Sequence, residues 1–420
     1  MNRSKNKVLK ISTAGSVDDG KSTLIGRILY DTKSLKEDKI KAIEENSAKK
    51  GYDYLDFSFA TDGLSAEREQ GITIDVAHIY FSTFQRSYII ADTPGHIEYT
   101  RNMITGTSTS DVSLILIDAR NGVVEQTKRH YFINNLLRVK EVIVVVNKMD
   151  LVNYSAQRFE EIVEDFQVLT QSSDFPAQKT TFIPVSALQG ENVVHPSQNL
   201  SWYRGKTLLE TLEEIEVEDT QEEAKARFQV QTVIRPKRES LHDYRGYAGK
   251  LKGGEVRIND EVTILPSETK SRIKSIEFYD QQYESASKGS SITITLYDEV
   301  NVSRGDLIVK TSEKPHVAKE LKAIVCWMDK TPLTPSSMFY IQHGVKQVKS
   351  KITSIDYKIK STFDGKTEAA TQLDMNDLGF INLKVAQPLH FDAYKENKEN
   401  GVFILIDTKT NATSGVGFIQ

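Results

Sequence analysis

The spacing of hydrophobic and polar residues changes character about halfway along the chain. In the first half, short runs of β-branched residues alternate with longer segments of helical periodicity. Several of the short runs are apolar nearly throughout, which is typical of parallel strands covered on both faces. The pattern predicts a doubly wound α/β domain. The predicted strands are Val8–Ser12, Ser87–Ala91, Val112–Asp118, Glu141–Asn147 and Phe182–Val185, and the predicted helices are Lys21–Tyr30, Glu125–Leu137 and Ala156–Leu169.

An acidic segment, Leu208–Glu223, has a helical pattern and closes this first domain. Beyond it the chain consists of short strands with a period of two, separated by Gly, Asp and Ser turns, which is typical of β-barrels. Because a proline-containing stretch divides these strands near residue 315, we expect two barrels and domains at 1–225, 226–314 and 315–420. The first set of strands is Phe228–Ile234, Gly246–Leu251, Glu261–Leu265 and Ser291–Leu296, and the second is Ala323–Met328, Met338–Gln342, Lys351–Lys358, Phe380–Val385 and Gly401–Ile406.

Composition narrows the class of protein. The 420 residues carry a formal net charge of −4, which argues against a nucleic-acid partner, although a local basic face remains compatible with it. Cys326 is the only cysteine, so no intrachain disulfide can form and a reducing compartment fits. The polar N-terminal segment and the short apolar runs indicate neither a signal peptide nor a membrane span. We therefore expect a cytoplasmic protein.

Residues 15–22 match the phosphate-loop pattern G-x-x-x-x-G-K-[ST] between a predicted strand and a predicted helix. The glycines let backbone N–H groups approach phosphates, and the helix N-terminus adds its dipole. Lys21 supplies positive charge to the β- and γ-phosphates, and the Ser22 hydroxyl is a magnesium ligand. The alternative, a purely structural glycine turn, does not explain the strand–loop–helix context. The candidate residues are Gly15, Ser16, Val17, Asp18, Asp19, Gly20, Lys21, Ser22 and Thr23.

Three further motifs follow at predicted strand ends: Asp92-Thr93-Pro94-Gly95, Asn147-Lys148-Met149-Asp150 and Ser186-Ala187-Leu188. Asp92 can hold magnesium through water, and the Gly95 N–H can sense the γ-phosphate. The Asp150 carboxylate can accept hydrogen bonds from guanine N1–H and the 2-amino group, which adenine does not offer. The Ser186–Leu188 turn can present backbone N–H groups to guanine O6. In this order the motifs predict GTP as ligand, with Mg2+.

Three residues are candidates for catalysis: His96, Lys21 and Gly95. His96 follows Gly95 directly, so it is expected beside the γ-phosphate, where it could orient the attacking water. A lone histidine is more often structural, but its position favours the catalytic role. Thr73 is the candidate second magnesium ligand, and its alternative is a threonine at the edge of a strand. The histidines show no zinc-binding spacing, so no zinc is expected.

These motifs resemble those of the translation-factor class of GTPases, the elongation factor Tu type. The phosphate loop ending Val-Asp-x-Gly-Lys-Ser, the segment Gly71–Ile74 and the run Asp92–His96 carry the resemblance. It implies an N-terminal GTPase domain followed by two β-barrels. It also implies that Val17 and Ile72 flank His96 as an apolar gate.

Within that class the chain is similar to the GTP-binding large subunits of bacterial sulfate adenylyltransferase (ATP sulfurylase). The similarity runs through residues 15–27, 62–76, 190–194, 202–203, 244–249, 303–306, 406–407 and 413–417. It implies that GTP hydrolysis drives formation of adenylylsulfate and diphosphate from ATP and sulfate, in sulfate assimilation. The adenylyl transfer is then expected on a small catalytic subunit of the ATP pyrophosphatase type.

Two alternatives remain at this point. One is a translation factor that delivers aminoacyl-tRNA or acts at the ribosome; the acidity of the chain, and Ser16 where translation factors usually have histidine, argue against it. The other is a self-sufficient sulfurylase, which would need an adenylyl-transfer site that the sequence does not resemble. The segment between Tyr30 and Leu64 is a candidate coupling element between GTP and ATP turnover, and a mobile switch loop is its simpler interpretation.

Overall fold

The computed structural model describes residues 8–49, 51, 54–57, 75–95, 99–171, 175, 178–217, 225–236, 244–279, 281–360 and 367–420. The described residues fall into two compact units. The first reaches residue 217, and the second comprises residues 225–359 and 367–420. Within these ranges, every helix is too short or too polar to cross a lipid bilayer.

The first unit is a six-stranded sheet with helices. Its strand order is β2-β3-β1-β4-β5-β6, with β2 antiparallel to β3 and the other neighbours parallel, which confirms the predicted α/β class. In chain order the elements are β1 (Leu9–Ala14), α1 (Lys21–Asp31), α2 (Glu37–Lys49), β2 (Ala77–Ser82), β3 (Ser87–Asp92), α3 (Thr100–Ser108), β4 (Val112–Asp118), α4 (Glu125–Leu136), β5 (Glu141–Asn147), α5 (Ala156–Gln171), β6 (Lys179–Pro184) and α6 (Leu208–Glu214).

The central strands of this sheet end in polar residues at a common edge. All seven residues of β4 are buried, as expected for a strand covered on both faces. In the parallel register Thr13 pairs with Asp92, and Asp118 pairs with Asn147. The carboxyl ends of β1, β3, β4 and β5 therefore bring the loops that follow them to one side of the sheet, where α/β folds bind ligands.

The acidic helix is shorter than predicted. The sequence indicates a helix over Leu208–Glu223, but α6 ends at Glu214, and residues 218–224 lie outside the described part. Ile215 leaves the helical conformation with a ψ of 118° and is buried. Arg86 Nη1 donates hydrogen bonds to the carbonyls of Leu212 at 3.2 Å and Ile215 at 2.6 Å. A distant arginine thus satisfies carbonyls at the helix end, which a local pattern does not reveal.

The second unit contains two closed β-barrels. In the first barrel, the strand order β10-β15-β7-β8-β14-β11 closes because β11 pairs back with β10, and β12 extends from β11. Strands β9 and β13 form a separate pair. The elements are β7 (Arg227–Ile234), β8 (Gly246–Lys252), β9 (Glu255–Arg257), β10 (Glu261–Leu265), β11 (Thr269–Phe278), β12 (Gln281–Tyr283), β13 (Ser285–Ser287), β14 (Ser291–Leu296) and β15 (Leu307–Lys310).

The second barrel closes in the same way. Its strand order is β17-β21-β22-β16-β20-β18, β18 pairs back with β17, and β19 extends from β18. Two barrels were predicted and are confirmed; the domain limits 225/226 and 314/315 stay a prediction. The elements are β16 (His316–Trp327), β17 (Met338–His343), β18 (Lys346–Ile359), β19 (Thr367–Glu368), β20 (Leu378–Phe391), β21 (Val402–Asp407) and β22 (Thr413–Ile419).

A buried ion pair joins the two barrels. Arg227 at the start of β7 is fully buried, and its guanidinium donates two hydrogen bonds of 2.8 Å to the carboxylate of Asp392, which follows β20. Its remaining nitrogen donates to the carbonyls of Ala226 at 3.0 Å and Glu313 at 2.6 Å. Asn400 Nδ2 donates to the same carboxylate at 2.7 Å. Both charges are therefore paired and hydrogen-bonded within this unit.

Candidate functional site

The loop between β1 and α1 carries the predicted phosphate-binding residues in a tight turn. Asp19 Oδ2 accepts a hydrogen bond of 2.6 Å from the backbone N–H of Ser16, which closes the loop. Gly20 has a φ of 90°, and a Cβ there would lie 2.5 Å from the side-chain nitrogen of Asn147, so only glycine fits. The Ser16 hydroxyl is buried and has no partner among the described residues. An orphaned buried hydroxyl beside a glycine turn fits a ligand rich in oxygen atoms.

Lys21 is the first residue of α1 and is only 8% exposed. Its Nζ donates hydrogen bonds to the carbonyls of Gly15 at 2.8 Å and Ser16 at 3.2 Å. Burial lowers the pKa of Lys21, although the nearby carboxylates of Asp92 and Asp19 oppose the shift. Burial also raises the pKa of Asp19. A buried ammonium held by the carbonyls of its own loop is suited to a strongly anionic group such as phosphate.

The residues after β3 pack directly against this loop. Thr13 Oγ1 on β1 donates to Asp92 Oδ1 at 2.8 Å, and Thr93 Oγ1 donates to the Thr13 carbonyl at 2.5 Å. A Cβ on Gly95 would lie 2.6 Å from Lys21 Nζ and would also collide with the phosphate-loop backbone. Residue 95 must therefore be glycine for the two loops to approach this closely. Pro94, which lies between Thr93 and Gly95 in the sequence, is buried.

Asn147 at the end of β5 connects two other loops. Its Nδ2 donates to the carbonyl of Asp19 at 2.8 Å, and its Oδ1 accepts from the backbone N–H of Ala187 at 2.9 Å. The residue is 1% exposed. One side-chain amide therefore fixes the phosphate loop relative to the loop that follows β6.

The two predicted guanine-binding segments also contact each other. Ser186 Oγ donates to Asp150 Oδ1 at 2.6 Å, and the backbone N–H of Met149 donates to the carbonyl of Val185 at 3.2 Å. Met149 itself is fully buried. The carbonyl of Leu188 accepts from the Arg27 guanidinium at 3.3 Å. The structure thus places Asp150 and the Ser186–Leu188 turn side by side.

Sequence reasoning missed Asp118. This carboxylate at the end of β4 pairs with Lys148 Nζ at 2.9 Å and with the Arg120 guanidinium at 2.7 Å. Burial alone would raise the pKa of Asp118, but hydrogen bonds from Arg120 and Lys148 outweigh it and hold the pKa at about 2. Lys148 also donates to the carbonyl of Asp18. A signal existed in the sequence, because Asp118 ends an apolar strand just as Asp92 and Asn147 do.

A second missed residue is Gln126 on α4. Its side-chain amide donates a hydrogen bond to the carbonyl of Gly95 and so ties the segment after β3 to this helix. His130, one helical turn later, is 3% exposed, and burial lowers its pKa to about 3. His130 is therefore neutral at physiological pH.

Two of the predicted magnesium ligands, Ser22 and Asp92, lie in the described part of the chain, and Thr73 lies outside it. Ser22 lies in the first turn of α1, and Asp92 ends β3. Their hydroxyl and carboxylate oxygens are the donors that Mg2+ prefers, so this part of the set fits the ion. Thr73 and His96 lie outside the described residues, as does Ile72 of the expected gate. Val17, its expected counterpart, is 37% exposed. Thr23, the last predicted phosphate-loop residue, lies in α1.

Comparison with known proteins assigns the class. Residues 6–218 match the family model described as the elongation factor Tu GTP binding domain. Residues 320–420 match the model described as GTP-eEF1A C-terminal domain-like. The chain belongs to the elongation factor Tu-like GTPases, which bind guanine nucleotides, as the predicted motifs indicated.

The family within this class follows from relatives that match 98% of this chain. The chain is 47% identical over 418 residues to sulfate adenylyltransferase subunit 1 of Colwellia psychrerythraea, covering 98% of this chain and 88% of the relative. It is 45% identical to the protein of the same name from Bacteroides thetaiotaomicron, covering 98% and 86%. It is 43% identical to the bifunctional enzyme CysN/CysC of Mycobacterium tuberculosis, covering 98% and 67%. The chain belongs to the family of sulfate adenylyltransferase subunit 1.

Proposed function

We propose that this chain is the GTPase subunit of a sulfate adenylyltransferase. GTP hydrolysis on this chain is coupled to formation of adenylylsulfate and diphosphate from ATP and sulfate, a reaction that is otherwise strongly uphill. The contact that supports this proposal best is the Asn147 amide, which joins a phosphate loop to a guanine-type loop in one site. The likeness to subunit 1 proteins over nearly the whole chain supports the link to sulfate, and it disfavours the translation-factor alternative.

Guanine is selected at the end of the site formed by Asn147, Asp150 and the Ser186–Leu188 turn. The carboxylate of Asp150 accepts from guanine N1–H and the 2-amino group, while the backbone of the turn donates to O6. The hydrogen bond from Ser186 Oγ orients the Asp150 carboxylate before GTP binds. Adenine lacks the two donors that the Asp150 carboxylate would accept from guanine, which disfavours ATP here.

Hydrolysis takes place at the other end. Lys21 and the N–H of Gly95 contact the β- and γ-phosphates, and His96 orients the attacking water. Ser22, Thr73 and Asp92 would hold Mg2+, the last through water. When bound, the ion neutralises charge on the phosphate oxygens. The contact between Gln126 and the Gly95 carbonyl holds the peptide unit that follows the one whose N–H faces the γ-phosphate.

The adenylyl transfer itself takes place on a separate small subunit of the ATP pyrophosphatase type. This chain then acts as its GTP-dependent regulator, and no nucleic acid is needed as a partner. We further propose that the protein works in the cytoplasm and that its domains divide at residues 225/226 and 314/315.

A reconstitution assay tests the assignment. The purified chain is mixed with the cognate small subunit, and GTP hydrolysis is measured with and without ATP plus sulfate; ribosomes replace the small subunit in a parallel reaction. We expect the small subunit with ATP and sulfate to accelerate GTP hydrolysis and adenylylsulfate to accumulate. Stimulation by ribosomes alone would overturn the link to sulfate while leaving the GTP site intact.

A further inference from the structure

The outer face of the second barrel carries a groove rich in lysine. The groove has a volume of about 620 Å³ and is lined by Lys319, Lys349, Lys351 and Lys384, which we call the lysine groove. All four side chains are exposed. Its floor is formed by buried apolar residues, among them Ile352, and Met338 on its wall is 57% exposed.

Irregular strand pairing opens this groove. On β16, Ala318 pairs with Leu389, but Glu320, two residues on, pairs with Lys384, so four residues of β20 face a single residue of β16. That single residue is Lys319. A second shift lies between Ile352 and Ser354 on β18. Bulges of this kind redirect side chains and are frequent beside functional sites.

The positive charge of the groove is largely uncompensated. Across the strands Met338 pairs with Lys351, Lys351 with Lys384, and Lys384 with Glu320, so these side chains lie side by side. Only Lys384 has a carboxylate partner among the described residues, Glu320 at 3.4 Å. Clustered like charges repel each other, and an anionic partner would relieve this repulsion. The four lysines are clustered although the chain as a whole has a net charge of −4, which favours such a partner at this groove.

We infer that the lysine groove is the docking site for an acidic segment of the small catalytic subunit. This inference rests on the proposed function, which supplies the partner. Carboxylates of the segment pair with the lysines, and an apolar side chain packs on the exposed Met338. A protein segment fits better than a nucleic acid because the lining has neither arginine nor an aromatic ring on which a base could stack.

A charge-reversal variant tests the groove. The variant carries Lys349→Glu and Lys351→Glu, and the matched control carries Lys330→Glu and Lys409→Glu, two exposed lysines of the same barrel outside the groove. The affinity of each full chain for the purified small subunit is measured by calorimetry at low and high salt. We expect the groove variant to bind about tenfold more weakly or worse and with a smaller salt dependence, while the control stays within about twofold of wild type.

Folding and alternative partners are controlled in the same experiment. GTP affinity and thermal unfolding report whether the variants fold, and Lys349→Gln with Lys351→Gln should give a smaller loss of binding in the same direction. Equal weakening in both charge-reversal variants, or none in either, would overturn the inference. So would tRNA binding that only the groove variant loses while small-subunit affinity is unchanged. If the wild-type chain itself does not bind the small subunit, the proposed function fails instead.

Discussion

Buried polar groups are treated differently in the two units. In the barrel unit Arg227, Asp392 and Asn400 satisfy one another, and His343 Nε2 lies 2.8 Å from the carbonyl of Asn400. In the nucleotide-binding unit the Lys21 ammonium donates to carbonyls of its own loop, its acceptors among the described residues. Every buried side-chain polar atom that lacks a partner among the described residues also lies in this first unit.

This difference separates a structural role from a ligand-binding role. A paired buried charge costs little once the barrels are folded, whereas an unpaired one lowers the stability of the ligand-free chain. Ser16 Oγ lies in the phosphate loop, where a nucleotide would supply the missing partner, and the neighbouring Lys21 Nζ is held by loop carbonyls that phosphate oxygens could replace. The phosphate loop therefore contains a buried polar atom available to a ligand, whereas the Arg227–Asp392 pair of the second unit is satisfied within the protein.

The largest effect should come from breaking the barrel pair. Arg227→Met leaves the carboxylate of Asp392 buried without its cation, so we expect unfolding free energy to fall by about 3–5 kcal/mol. GTP affinity should be unchanged. Denaturant unfolding measures the loss. The double variant Arg227→Met with Asp392→Leu should recover most of it, and a single variant within about 1 kcal/mol of wild type would contradict a structural role.

The phosphate loop should respond in the opposite way. Lys21→Met removes the positive charge that faces the phosphates. We expect GTP affinity to fall by about 100-fold, which corresponds to the loss of one hydrogen bond to a charged group. The nucleotide-free protein should unfold at the same temperature or higher because a buried ammonium is lost. Nucleotide titration measures the GTP affinity, and calorimetric melting measures the unfolding temperature. A large drop in melting temperature would mean that Lys21 is structural.

Hydrolysis should separate from binding at the neighbouring switch. His96→Ala is expected to slow GTP hydrolysis by about 100-fold or more and to leave GTP affinity near normal. Single-turnover phosphate release and nucleotide titration measure the two quantities. An unchanged rate would show that another group positions the water. His96→Gln serves as the control for a polar side chain of similar reach.

Acid should weaken the Asp118 network by a moderate amount. The pKa of Asp118 is lowered from 3.8 to about 2, so its stabilisation is complete above pH 4 and is lost as pH falls through about 2. We expect the ionised Asp118 to contribute about 1–2 kcal/mol to the free energy of unfolding, since Arg120 is half exposed and solvent screens part of the interaction. Unfolding free energies of wild type and Asp118→Asn should therefore converge between pH 4 and pH 2. A constant difference would refute the ionic contribution.

The smallest effect should come from a surface pair of the first unit. Lys206 and Glu214 form an ion pair whose side chains are 55% and 57% exposed. Lys206→Ala should change unfolding free energy by no more than about 0.5 kcal/mol. Denaturant unfolding at low and high salt measures this. A loss comparable to that of Arg227→Met would show that burial does not decide the difference between the two units.

The sequence predicted best where strands are buried on both faces. Strands β4 and β5 have the predicted bounds because an apolar run ends at a polar residue in each. The long barrel strands were predicted only in part. In Lys346–Ile359 the exposed Lys349 and Lys351 alternate with the buried Val348, Ser350 and Ile352, and the first residues form a strand because β17 pairs with them.

The motif residues at the strand ends were found because each has a recognisable spacing. The contacts among them were not, since Asn147 is 128 residues from Asp19 and Gln126 is 31 residues from Gly95. Gln126 belongs to a helix whose sequence shows no motif, so its link to Gly95 appears only in the folded chain. The roles assigned to Thr73, His96 and the magnesium ligands stay predictions.

Closure of both barrels has a consequence for self-association. An open sheet edge can pair with another copy and start aggregation. In the described part of the second unit, the strands outside the closed rings have only two or three residues each: β9, β12, β13 and β19. In the first unit, the edge strands among the described residues are β2 and β6, of six residues each, and Tyr80 on β2 is 70% exposed. Protection against fibril-like stacking is thus concentrated in the barrels, and the two edges of the first unit's sheet are where self-association is expected to begin.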